Sequence, residues 1–261
     1  MAKVIAIANQ KGGVGKTTTT INLAACLAKK KKKTLILDFD PQGNTSTGLG
    51  VDKQALPYSS YDLLIGRVPI QDVIVPNVVE KLDLIPANME LAGAEVELVG
   101  MVAREHMLKN AIEKVREEYD YILLDCPPSL GLLTLNALTA SDSVLVPIQC
   151  EYFALEGLSQ LVNTIHVVKT RLNTELEIEG VLLTMYDGRT NLANQVLNEV
   201  HKFFKNKVYR TVIPRSIRLG EAPSYGQSIL QYAPNSSASK AYLSFTEEFL
   251  RRERKGKGGA E

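Results

Sequence analysis

An apolar run, Val4-Ile5-Ala6-Ile7-Ala8, leads straight into Lys11-Gly12-Gly13-Val14-Gly15-Lys16-Thr17-Thr18, and a helix-compatible stretch from Thr19 to Lys29 follows. Few folds accommodate a buried strand that breaks into glycines and reopens as a helix. The glycines let the backbone turn tightly and bring successive N–H groups toward an anion, where a Cβ would stand in the way. The helix directs the positive end of its dipole at the same point. The loop is therefore predicted to cradle a polyphosphate, with Lys16 near the β- and γ-phosphates and the Thr17 hydroxyl suited to Mg2+. A glycine-rich turn without a ligand is the plain alternative; the order strand, loop, lysine, threonine, helix argues against it.

The rest of the chain repeats the alternation. Apolar, β-branched runs recur at Thr34–Asp38, Leu82–Pro86, Tyr121–Asp125, Ser143–Pro147, Gly180–Thr184 and Arg210–Pro214, with helical stretches between them. Such a pattern predicts an α/β fold: a mostly parallel twisted sheet with helices on both faces. With 261 residues, 45% of them hydrophobic, the chain can bury one large core. No linker divides it, so a single domain is expected over 1–250, followed by a basic, frayed tail over 251–261. The net charge of +1 excludes a globally basic nucleic-acid binder and leaves DNA contact to a local patch. Cys26, Cys126 and Cys150 are too few and too scattered for a disulfide framework or a metal knuckle, so a reducing cytoplasm is expected. The first strand begins too early for a signal peptide and no apolar run reaches transmembrane length, which predicts a soluble protein.

In sheets of this kind sites gather at the carboxyl ends of strands. Asp38 and Asp40 close the second run, and Asp125 closes another. Asp125 after four apolar residues matches a Walker B strand, whose carboxylate reaches Mg2+ directly or through water while Thr17 ligates it. Asp38 and Asp40 lie two apart and so are expected on one strand face, although a turn rich in Asp, Pro, Gly and Asn would account for the composition by itself. Ser129 is predicted to cap a helix over Leu130–Ala140. From Lys202 to Leu219 stand Lys202, Lys205, Lys207, Arg210, Arg215 and Arg218 with no acidic residue, and Arg189 lies just upstream. Phosphate contacts from a few such side chains give sequence-independent, salt-sensitive DNA binding; an ordinary solvated face is the alternative.

The phosphate loop departs from the general G-x-x-x-x-G-K-[ST] pattern: Gln10 stands where the first glycine belongs, and Lys11 enters the loop. With two lysines five apart it resembles the deviant P-loop of the ParA, MinD and nitrogenase-iron-protein group, and the likeness extends over about residues 3 to 250. The resemblance implies binding of ATP by Lys11, Gly12, Gly13, Val14, Gly15, Lys16, Thr17 and Thr18, with Mg2+ held at Thr17, Asp38 and Asp125. In D-x-D-P-Q-G-N it implies that Asp40 orients the attacking water and that Asp38 supports the metal shell. Lys11 would cross the interface of an ATP-dependent homodimer and act in trans, and the segment after Asp125 would sense the γ-phosphate. Met185 and Pro214 match segments enclosing the adenine, so Arg215 serves nucleotide rather than DNA; Arg189 and Arg218 match positions that bind nonspecific double-stranded DNA.

Within the group the chain is most similar to small Soj-type ParA partition ATPases, which implies a ParB-type centromere-binding partner and association with the nucleoid. A MinD-like membrane-recruited ATPase is one alternative, but Phe245, Phe249 and Leu250 give way to a basic stretch with no second apolar cluster, so no stable membrane association is expected. An iron-protein relative would need two bridging cysteines, and neither Cys126 nor Cys150 is well spaced for that. A regulatory ATPase acting on transcription or replication factors is a further alternative. Lys29 to Lys33 stand where relatives carry a glycine; a lysine forced to positive φ there would cost on the order of 1 kcal/mol, so the run is expected instead to extend the helix and fray as a solvated charge run.

Overall fold

The structure, a computed structural model, describes residues 1–151 and 156–257. Its first half runs β1 (Lys3–Ile7), α1 (Lys16–Lys29), β2 (Thr34–Asp38), α2 (Asn44–Gly48), α3 (Ser60–Leu64), α4 (Ile70–Val73), β3 (Val75–Val79) and β4 (Leu82–Ile85). Then come α5 (Leu91–Glu97), α6 (Met107–Ile112), β5 (Tyr121–Asp125), α7 (Leu132–Ala140), β6 (Ser143–Gln149) and α8 (Glu156–Arg171). The chain closes with β7 (Glu177–Thr184), α9 (Asn191–Phe204), α10 (Ile217–Glu221), α11 (Ile229–Tyr232) and α12 (Ser237–Lys257).

The strands form one seven-stranded sheet in the order β3-β4-β2-β5-β1-β6-β7, parallel except where β3 meets β4. β1, β2, β4 and β5 are apolar and almost fully buried because both faces are covered. Alternation along β1 divides the core: Val4 and Ala6 join the layer under α5 to α9, whereas Ile5 and Ile7 pack with Ile21 and Leu27 of α1 and with Phe245 and Phe249 of α12. The parallel arrangement brings the ends of β1, β2 and β5 side by side, and their registers pair Ile7 with Asp125 and Asp38 with Asp125. The α/β architecture expected from the alternation is the one observed.

Several local expectations are corrected. Arg210–Pro214 is no sheet strand: Tyr209 and Ile213 donate to Val181 and Leu183, but the intervening Arg210 and Thr211 amides turn to the Glu248 carboxylate, both at 2.9 Å. Strand β3 was missed, its Val75-Pro76-Asn77 half carrying a proline and the positive-φ Asn77. Helix α7 begins at Leu132 behind Gly131, and the Ser129 carbonyl accepts from the Thr134 hydroxyl at 2.5 Å. The lysine run takes the strained course rather than extending the helix: α1 stops at Lys29 and Lys31 takes φ 64°.

The boundary expected at residue 250 is no structural break, since α12 continues to Lys257. Arg252 donates to the Val208 carbonyl at 2.6 Å and lies 4.1 Å over the Tyr209 ring, and Glu253 meets Lys3 and the Tyr121 hydroxyl. These contacts reach the sheet, which a solvated tail would not. Residues 258–261 lie outside the described part. Truncation after Leu250 is therefore expected to lower stability by about 2 kcal/mol, read as a shifted urea midpoint; an unchanged midpoint would return 251–257 to a loose tail.

Candidate active site

The loop between β1 and α1 owes its shape to Gly13 and Gly15, at φ 72° and 86°. No atom lies within 4 Å of a Cβ built at Gly12 or Gly13, so an anion can approach the backbone there. Gly15 caps α1 without a side chain and no acid follows in the first turn, which leaves the helix N–H groups free to face a ligand. The loop is braced from two sides. Asn9 accepts from the Lys11 amide at 3.0 Å and donates to Pro147 at 2.7 Å, while the Thr184 hydroxyl donates to the Val14 carbonyl at 2.8 Å.

Lys16 is buried, and its ammonium donates to the Lys11 carbonyl at 3.2 Å. Burial lowers its pKa, with Asp125 pulling the other way. Asp125, wholly buried, accepts hydrogen bonds from Thr17 and Thr45 at 2.7 Å each and from Thr20 at 3.4 Å. Asp38 accepts from the Ser46 amide and hydroxyl at 2.8 and 2.7 Å, and Asp40 accepts from the Gln42 amide at 3.0 Å. The expectation that Asp38 and Asp40 act from one strand face is thus corrected: β2 ends at Asp38, and Asp40 sits in the turn beyond it with other partners. Burial raises the pKa of both Asp38 and Asp125, and their proximity raises that of Asp38 further.

Lys11 projects at the mouth of the loop, 3.6 Å from Glu151, which also receives Arg215 at 3.4 Å. A cavity of about 350 Å3 opens beside the loop between Gly15, Thr18, Met185, Pro214, Arg215 and Tyr242. Met185 and Pro214, predicted at the adenine, are therefore brought together, with Met185 at φ 50°. Arg189 is 88% exposed and clasps Asp187 at 2.7 and 2.8 Å, a contact that pulls the Asp187 carboxyl down to about 2. Arg218 is exposed on α10. The basic run is not one uninterrupted field, since Lys202 pairs with Glu199 and Lys207 donates to the Ile178 carbonyl at 2.7 Å.

Sequence reasoning missed Asn9, Thr20, Thr45, Ser46 and Glu151. Thr45 and Ser46 lie on α2 beyond the Asp40 turn, and neither they nor Glu151 carry a sequence signal. All three cysteines are free and buried, as core residues would be. Among the described residues no helix is long and apolar enough to cross a membrane.

These features define a nucleotide-type P-loop on a doubly covered sheet. A family model described as an AAA domain matches residues 2–178. The sporulation initiation inhibitor protein Soj of Bacillus subtilis is 58% identical over 248 residues, covering 95% of this chain and 98% of its own. The chromosome partitioning protein ParA of Myxococcus xanthus is 51% identical, covering 97% and 89%. Among solved structures, a cobyrinic acid a,c-diamide synthase from Mycobacterium smegmatis with bound ADP and magnesium superposes with TM-score 0.87 at 39% identity, covering 98% and 97%. A plasmid partition protein from Borrelia burgdorferi bound to AMPPNP gives 0.83 at 27%, covering 97% and 100%. The chain belongs to the ParA/Soj family of chromosome-partitioning ATPases.

The two raised carboxylates make stability depend on pH. In the nucleotide- and magnesium-free protein Asp38 and Asp125 bind protons more tightly folded than unfolded, so stability falls as pH rises from the ordinary carboxylate range toward neutrality. Asp38→Asn is expected to flatten that decline, measured as melting temperature against pH; an unaltered slope would remove Asp38 as its source.

Proposed function

We propose that the chain binds ATP with Mg2+, dimerises face to face in that state, holds DNA without regard to sequence, and lets go after slow hydrolysis stimulated by a ParB-type partner. The observation that carries this reading is the pair of lysines at one phosphate loop. Lys16 is buried and turned inward, whereas the Lys11 ammonium stands at the mouth, 3.6 Å from the half-exposed Glu151. A second cation at the mouth supports a reach toward a partner's nucleotide.

The residues fit the group they would hold. Gly12 and Gly13 leave room for phosphate oxygens, and the buried Lys16 regains a compensating negative charge when they arrive. The Thr17 hydroxyl would ligate Mg2+ with Asp125 behind it, and Met185, Pro214 and Arg215 would border the base. Mg2+ held there would supply positive charge against the phosphates. Asp40, next to the loop and held by the Gln42 amide, orients the attacking water, and Asp38 steadies the segment through Ser46. Lys11 from the second copy adds positive charge opposite the transferring group, a contribution typically worth about a thousandfold or more in rate. Nucleotide bound between the copies makes assembly depend on ATP.

Arg189 and Arg218 present the DNA-binding cations, with the exposed Arg189 exchanging its Asp187 partner for a backbone phosphate. Phe245 and Phe249 of α12, which a MinD-like membrane role would need exposed, are buried against α1. Location at the nucleoid follows from DNA binding.

Asp40→Ala is expected to keep ATP binding and dimerisation while phosphate release falls to background; undiminished release would refute its role. Binding to a random-sequence duplex is expected to be tight and salt-sensitive with ATP, and weak with ADP or no nucleotide. Arg189→Glu is expected to weaken that binding at least tenfold without disturbing the ATP dimer, by fluorescence anisotropy and sedimentation. Equal binding in every nucleotide state would overturn the switch, and no effect of the substitution would place the DNA surface elsewhere.

A further inference from the structure

Helix α7 begins without a cap of its own: Gly131 supplies no side chain, and the first turn contains no acid. Another helix supplies one. Glu95 of α5 reaches across, its Oε1 accepting from the Leu133 amide at 3.4 Å. Gly131 passes so close beneath this carboxylate that a Cβ at that position would collide with it. The absent side chain at 131 and the negative charge at the positive end of α7 thus point to one contact.

That contact lies at the far end of the segment Cys126-Pro127-Pro128-Ser129-Leu130-Gly131, which leaves directly from Asp125. One end of the segment is fixed by β5. The other is fixed by the start of α7, where Thr134 also holds the Ser129 carbonyl. The helix that carries Glu95 is itself anchored, with Leu91 and Ala94 in the core and Glu97 accepting from the Tyr61 hydroxyl at 2.6 Å. Neither the phosphate loop nor the cavity at Met185 and Pro214 includes Glu95.

We infer that Glu95 is a positioning residue for ATP turnover: by holding the start of α7 it sets the path of residues 126–131 beside Asp125. The inference rests on the hydrolytic reading given above. Turnover depends on the contact and nucleotide affinity does not, because the groups that grip the nucleotide lie on other elements.

Steady-state ATPase measurements on the full chain, with amide hydrogen exchange on the same samples, test it. Glu95→Ala is expected to lower kcat roughly tenfold while KM for ATP stays within about twofold, and to speed exchange at the start of α7 without touching the phosphate loop. Glu95→Gln keeps an acceptor oxygen and is expected to recover most of both. Gly131→Ala is expected to reproduce the loss, and the double variant to be no worse than Glu95→Ala, since the colliding group is gone. Unchanged kcat in Glu95→Ala, additive losses in the double variant, or exchange that rises equally across the chain would each overturn it. Were the wild type to show no ATP turnover, the hydrolytic reading would fail, and unaltered exchange at α7 in Glu95→Ala would separately overturn the contact.

Discussion

Asp125 is a carboxylate with no access to water at the end of a central strand, and the hydroxyls of Thr17 and Thr45 lie 2.7 Å from it. A buried charge is costly unless hydrogen bonds and counter-charge offset it. Here the offset comes from three places: Thr17 and Thr20 on α1, Thr45 on α2, and the Lys16 ammonium nearby. One carboxylate thus ties the phosphate loop, the turn after β2 and the central strand into a single unit. Asp38, its neighbour in register, repeats the arrangement with Ser46, whose hydroxyl also accepts from Ala87 at the exit of β4. Moving any of these strands would strand a charge.

The sheet was legible because its strands are buried on both faces and read as unbroken apolar runs; β2 and β5 keep the bounds that the sequence suggests. The edges were not. β3 is short, half exposed and antiparallel, and Arg210–Thr211 lose their ladder bonds to Glu248, a residue far along the chain. The same division runs through the candidate site. Glycines, Lys16, Thr17 and Asp125 are local in sequence or end strands, so their pattern is visible. Thr45, Glu95 and Glu151 act across elements brought together only by folding, and nothing beside them in the chain marks them out.

Glu151 illustrates how a surface acid can compete with function. It sits within reach of both Lys11, proposed to reach a partner's nucleotide, and Arg215, proposed to border the base. Both contacts are long and solvent-screened, so each is worth little and is readily given up. A weak tether of this kind keeps Lys11 near the loop mouth without trapping it.

The lysine run at the opposite end of the sheet makes a set of exposed, individually weak pairs. Lys30 meets Glu247 of α12, Lys31 meets Glu80, Lys32 meets Asp120, and Lys33 lies 4.5 Å over the Tyr119 ring. They join the turn after α1 to α12, to the β3–β4 turn and to the segment before β5, in contacts that water and dissolved ions can reach. The nucleotide end, by contrast, is held by buried carboxylates and hydroxyls whose contribution depends on proton binding. The molecule therefore has two poles with separate sensitivities: its base answers to ionic strength, and its top to acidity.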